Sequence, residues 1–135
     1  MLKYSNNLSA KEYCELRSTV SWQPIIEEQA QSGLKGSDFM IACRDDDNIV
    51  GCARIFWDKG YIAYLADVMV KPEYQKQGIG KGFFEIARKQ VKEAGYNEFI
   101  VAVNSQNVNA IQFYLAMGGK IVLSEEKQLK IEFVL

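Results

Sequence analysis

Residues 67–81 read Asp67-Val68-Met69-Val70-Lys71-Pro72-Glu73-Tyr74-Gln75-Lys76-Gln77-Gly78-Ile79-Gly80-Lys81. An apolar run enters a turn broken by Pro72, and Gly78 and Gly80 then open an amphipathic segment. Strand, glycine loop and helix in this order make an anion pocket out of main chain. The first amides of a helix have no partner within it, carry partial positive charge and can hold a phosphate. Glycine lets the backbone approach a ligand because no Cβ intervenes.

Two phosphate loops fail to fit. A Walker loop needs a glycine where this chain has Gln75, and Ser or Thr where it has Gly82. A dinucleotide fingerprint needs its third glycine where this chain has Phe83. The remaining reading is a loop that wraps the pyrophosphate of coenzyme A. A plainer alternative is a helix start eased by glycines, but glycines there lower helix stability relative to alanine. A chain that keeps Gly78, Gly80 and Gly82 gains from close approach.

Gln75-x-x-Gly78-x-Gly80 resembles the acetyl-CoA signature of the GNAT (Gcn5-related) superfamily of N-acetyltransferases. Val68 to Tyr74 resembles that family's preceding strand and turn. Downstream, Asn107-Val108-Asn109-Ala110-Ile111-Gln112-Phe113-Tyr114 followed by Gly118 resembles its second signature. The likeness is clearest from Ile49 to Gly119 and looser in the N-terminal third. It implies an α/β fold of GNAT type, a single domain over 1–135 with a central mixed twisted sheet, helices on both faces and splayed parallel central strands. It also implies an acetyl-CoA-dependent N-acetyltransferase that acts on an amine of a small molecule or protein through a direct ternary complex. The competing class is a catalytically silent acyl-CoA-binding or regulatory module of the same fold.

Composition sets bounds. The chain has 135 residues, 48% of them hydrophobic, enough for one packed domain. The net charge of -1 offers no global field for nucleic acid or an anionic membrane. The N-terminus has no long apolar core of a signal peptide and no run approaches a membrane span, so a cytoplasmic protein is expected. Cys14, Cys43 and Cys52 are widely spaced and form neither a disulfide framework nor a zinc pattern; Cys43 and Cys52 read as buried thiols. The chain has no histidine, which removes Ser-His and Cys-His triads and most zinc sites, and no metal is expected.

Along the chain, Leu2 to Ser5 reads as a short strand and Ser9-Ala10-Lys11-Glu12 as a capping box for a helix to Thr19, with Tyr13, Leu16 and Val20 on its apolar edge. Pro24 fits the first turn of a second helix, with Ile25, Ile26 and Ala30 inward and Gly33 ending it. Phe39–Arg44 and Ile49–Trp57 read as strands around a turn at 45–48. Another hairpin turn spans 57–60, and Tyr61–Val70 reads as the central strand. The helix after the glycine loop places Ile79, Phe83, Ala87, Val91 and Ala94 on one face and stops at Gly95. Glu98–Val103 comes next as a strand, then a helix from Asn107 to about Met117 ended by Gly118-Gly119. Lys120–Leu123 and Leu129–Leu135 read as a final hairpin, an edge through which a homodimer could form.

The resemblance implies that the Asp67–Val70 and Glu98–Val103 strands splay apart, leaving backbone groups of Val68, Met69 and Val70 for the pantetheine arm. Amides from Gln75, Lys76, Gln77, Gly78, Ile79, Gly80 and Lys81 then face the pyrophosphate. The Lys76 and Lys81 ammonium groups can approach the same phosphates or stay solvated. Asn107 is implied as a pantetheine partner, with Asn104 and Asn109 as alternatives. Tyr114 stands where the family has its general acid; a phenol is protonated at neutral pH and can supply a proton to the departing thiolate. The Val68 or Val70 amide is the candidate oxyanion donor. Asp67, a carboxylate in an apolar strand, is the candidate base, with Tyr64, Glu73 and a water chain as alternatives; a structural hydrogen bond to the N-terminal helices explains Asp67 at least as well. The resemblance implies that the N-terminal helices and their link wall the acceptor pocket, which makes Trp22 and Pro24, together with Tyr64, the candidate acceptor contacts; Trp22 reads equally as a packing aromatic.

Overall fold

The computed structural model describes residues 1–58, 60–101, 103 and 106–121. Two compact units, Met1–Ala102 and Val103–Leu135, are taken in turn.

In the first unit β1 (Leu2–Ser5) leads through Ser9 into α1 (Ala10–Thr19). The expected capping box is formed: Ser9 Oγ accepts the Glu12 amide at 3.1 Å and Glu12 Oε1 accepts the Ser9 amide at 3.0 Å. Next come α2 (Glu27–Lys35), β2 (Phe39–Asp45), β3 (Asn48–Trp57), β4 (Ile62–Val70), a 3-10 turn (Pro72–Tyr74), α3 (Ile79–Glu93) and β5 (Glu98–Val101). The strands form one five-stranded sheet in the order β1-β2-β3-β4-β5. All neighbours are antiparallel except β4 and β5, which run parallel. This is the mixed sheet expected.

Helices cover both faces, and β3 shows why. Its side chains alternate across the sheet. Cys52 joins Leu8, Ala10, Tyr13, Leu16, Ala30 and Leu34 in the core under α1 and α2. Its neighbour Gly51 faces the other way: a Cβ there would stand 3.1 Å from the Phe83 ring of α3. Ile79, Phe83, Ala87 and Val91 are the buried stripe of α3, at helical spacing. Ala94 is exposed at the C-cap and does not extend that stripe.

The second helix departs from expectation. Pro24 lies outside it, and α2 starts after Ile26, whose side chain is 61% exposed. Glu27 and Glu28 occupy the first turn, where carboxylates favour the helix dipole. Gly33 is interior rather than a stop: a Cβ on it would lie 3.2 Å from Arg54 Nη1, so its smallness makes room for the arginine. The stop is Gly36. The strand expected over 98–103 ends at Val101. In the hairpin between β3 and β4, Asp58 Oδ1 accepts the amides of Gly60 at 2.7 Å and Tyr61 at 2.9 Å.

In the second unit, α4 spans Val108–Ala116, capped by Asn107, whose Oδ1 accepts the Ala110 amide at 3.2 Å. Gly118, at φ +98, comes just after its C-cap. The expected final hairpin lies outside the described residues apart from Lys120 and Ile121, which are not in a strand.

Candidate active site

The site begins with an irregularity in β4. Arg54 pairs with Ala66 and Cys52 with Met69, so Asp67 and Val68 together oppose the single Ala53. That is a β-bulge, an extra residue that bends the strand and re-aims its last residues. Asp67 takes a left-handed φ of +50 to make it. Before the bulge Ala63 and Leu65 are buried; after it Met69 turns into the α1 core, where it is 1% exposed. Sequence alternation alone places these faces wrongly because the bulge adds one residue.

The bulge also sets where the backbone points. Lys71 donates its amide to the Val50 carbonyl on β3 at 2.9 Å. Alternation then turns the Val70 backbone to the side away from β3, and that of Met69 toward β3. Among the described residues the parallel pairing with β5 ends at Leu65–Val101, while β4 continues to Val70. Val70 thus lies beyond the last described pair, with its backbone facing away from β3. The Val70 carbonyl accepts the Gln75 side-chain amide at 2.9 Å.

The glycine loop comes next along the chain. Gln75 does not start the run of free amides, contrary to expectation: its amide donates to Pro72 O at 3.3 Å, closing the 3-10 turn. Lys76 and Gly78 are left-handed, at φ +63 and +86. The first helical bond runs from the Gly82 amide to Gly78 O at 2.9 Å. Among the described residues the amides of Lys76, Gln77, Gly78, Ile79, Gly80 and Lys81 have no carbonyl acceptor. Donors without acceptors at a helix start fit an anionic group. The loop is exposed from Gln75 to Gly78, and a Cβ on Gly78 would meet nothing within 4 Å. Gly82 serves differently: a Cβ there would sit 2.2 Å from Tyr4 Oη, so this glycine accommodates Tyr4. The Tyr4 hydroxyl donates to Ile79 O at 3.3 Å, and the Ile79 side chain is buried.

Asp67 is engaged with side chains through one carboxylate oxygen. Its Oδ2 accepts Arg54 Nε at 2.6 Å and the Tyr13 hydroxyl at 2.8 Å, and it ion-pairs with Arg54 Nη2. The side chains of Arg54 and Asp67 are 14% and 18% exposed. Burial, then the Asp67 carboxylate, pushes the Tyr13 phenol up, so it remains a donor. The structural bond from Asp67 to the N-terminal helices is thus formed, through Tyr13 of α1. Arg54 and Tyr13 are partners of the site that the motifs do not reveal. A signal for one of them exists in the sequence: a lone arginine in an otherwise apolar strand needs a counter-charge.

Trp22 is exposed, with the Arg17 guanidinium 5.6 Å from its ring; Arg17 Nε donates to Gln23 O at 2.9 Å. Tyr64 is exposed on the sheet, between Phe56 of β3 and Ile100 of β5. Tyr114 is half-buried in α4, edge-on to Phe113 with ring centroids 5.1 Å apart, and burial pushes its phenol up. Asn107 commits its carbonyl oxygen to capping α4, which leaves the NH2 as that side chain's donor. Asn109 is exposed, and Asn104 lies outside the described residues. Among the described residues no group of three or more His, Cys, Asp or Glu side chains could hold a metal. No helix among them is long and apolar enough to cross a membrane.

Comparison with known proteins matches residues 7–118 to the acetyltransferase (GNAT) family model. A thialysine N-epsilon-acetyltransferase of Bos taurus is 34% identical over 68 residues, which are 50% of this chain and 40% of the length of that protein. An uncharacterised N-acetyltransferase of Porphyra purpurea is 26% identical over 121 residues, 87% of this chain and 68% of that one. A solved Staphylococcus aureus structure, described as a probable acetyltransferase, superposes with a TM-score of 0.82 at 22% identity, over 100% of both chains.

Proposed function

The chain belongs to the acetyltransferase (GNAT) family, and we propose that it is an acetyl-CoA-dependent N-acetyltransferase. The observation that supports this reading is the run of amides from Lys76 to Lys81 that have no carbonyl acceptor among the described residues, at the start of α3 and just after β4. A diphosphate supplies the acceptors those amides lack, and the dipole of α3 adds to the attraction. A chain of amides such as pantetheine supplies strand-like partners for the Val70 edge.

In this reading the acetyl group passes directly to the amine within a ternary complex. The Val70 or Val68 amide faces the developing oxyanion. Tyr114, held protonated by burial, donates a proton to the departing thiolate. The acceptor is a primary amine of a small amino-acid-like molecule or of a protein. The thialysine relative bears on this choice, since its name denotes a side-chain amine. The exposed Trp22 and Tyr64 are the acceptor contacts.

Thiol release from acetyl-CoA across a panel of diamines, basic amino acids and peptides tests the reading. Turnover with at least one amine is expected, and Tyr114→Phe lowers kcat by about a hundredfold or more. Binding of coenzyme A with no turnover on any amine sinks the enzyme assignment and leaves the silent module of the same fold.

A further inference from the structure

We propose that Tyr13 and Arg54 are positioning residues: by clamping the Asp67 carboxylate they hold the left-handed residue of the β4 bulge and so fix the direction in which the Val68–Val70 backbone meets the acyl donor. The inference rests on the reading of β4 as the donor-binding strand.

Asp67 is not glycine, yet its φ is +50. Aspartate takes this conformation more readily than most L residues, but it is uncommon in a strand and is kept where the surroundings hold it. The surroundings here converge on one oxygen. Oδ2 takes the Tyr13 hydroxyl from α1 and two guanidinium donors of Arg54 from β3. The clamp is itself braced. Arg54 lies 5.1 Å from the Tyr13 ring centroid and 5.0 Å from that of Phe56, and its Nη1 donates to Ser37 Oγ at 3.3 Å. Tyr13 is 2% exposed and receives Arg17 Nη1 at 3.3 Å.

The strand after Asp67 depends on this. With the bulge held, Met69 enters the α1 core and the Val70 backbone turns away from β3. With the clamp released, Asp67 can relax toward extended geometry, and the backbone groups of Val68 and Val70 lose the direction they share. Asp67 then matters for orientation, not for proton transfer from the amine.

Kinetics and backbone NMR on the whole chain test the clamp. Arg54→Met raises the Kd and KM for acetyl-CoA about tenfold, as expected from one strained residue left unsupported. Tyr13→Phe, which removes a single hydroxyl, shifts them in the same direction by less and serves as the decisive variant should Arg54→Met fail to fold. On an Asp67→Gly background the effect of Arg54→Met shrinks to within about twofold, because glycine takes a left-handed φ at no steric cost. The pH dependence of kcat keeps its midpoint in Asp67→Gly. Unchanged KM and Kd in folded Arg54→Met and Tyr13→Phe overturn the proposal, and so does loss of the acid limb of the kcat profile in Asp67→Gly, which marks Asp67 as the proton acceptor. Should wild-type protein bind no acetyl-CoA, the donor-site reading fails on its own. The clamp is then judged by φ-sensitive couplings at Asp67 in ligand-free protein: a change in Tyr13→Phe supports it, and none refutes it.

Discussion

Gly78→Ala isolates backbone conformation from space. Gly78 sits at φ +86 and ψ 6 as the N-cap of α3, and nothing stands within 4 Å of where a Cβ would go. The methyl group therefore fits, but alanine resists the left-handed conformation by about 1–2 kcal/mol. That cost must appear somewhere. If the loop kept its shape, the fold would lose the whole amount. The loop from Gln75 to Gly78 is exposed, and no neighbouring side chain pins Gly78, so it relaxes instead. Ligand binding must then restore the strained shape. The Kd for coenzyme A is expected to rise by a factor of about 5 to 30 while the thermal midpoint barely moves. Isothermal titration with coenzyme A and a thermal melt on the same samples read the two quantities. Gly78→Asn is the control, because asparagine tolerates the left-handed region, and it recovers most of the affinity. Wild-type affinity together with wild-type stability in Gly78→Ala would show the argument wrong, and Asn binding as poorly as Ala would point to bulk rather than φ.

Other residues give further tests. Gly82→Ala drives a Cβ to within 2.2 Å of Tyr4 Oη and 2.6 Å of Tyr4 Cζ, so urea unfolding should show a loss of about 1–3 kcal/mol, partly recovered by Tyr4→Val. Burial raises the Glu12 carboxyl, but the Arg44 guanidinium and the Ser9 amide outweigh it and hold it below the usual carboxylate range. A depressed folded pKa means that its stabilisation is complete above about pH 4.3, the ordinary glutamate value, and disappears as pH falls through the folded value. Glu12→Gln should therefore lower stability at pH 7 and flatten the acid limb of a stability–pH curve.

The local grammar of this chain is legible without coordinates. Ser9 and Glu12 announce their capping box, Gly95 marks the end of α3, and Ile79, Phe83, Ala87 and Val91 give its buried face through spacing alone. The unpaired amides of 76–81 are equally readable, because free donors at a helix start and glycine tolerance are properties of adjacent residues; Gln75 is the exception, its amide being taken by Pro72 O. Non-local features are not. Gly33 reads as a stop because sequence does not reveal that Arg54, from another strand, occupies the space beside it. Gly82 reads as a ligand contact, while its neighbour is Tyr4 from the first strand. Asp67 reads as a base or as a structural partner of the N-terminal helices, and only tertiary packing shows that Tyr13 of α1 and Arg54 of β3 meet at one of its oxygens. The sequence by itself determined most of the helix and strand segments and which amides at the start of α3 lack carbonyl partners among the described residues, since these depend on neighbours along the chain. The fold decided which face each residue of β4 presents and what each charge meets, since a bulge and an ion pair are made by strands and helices distant in sequence.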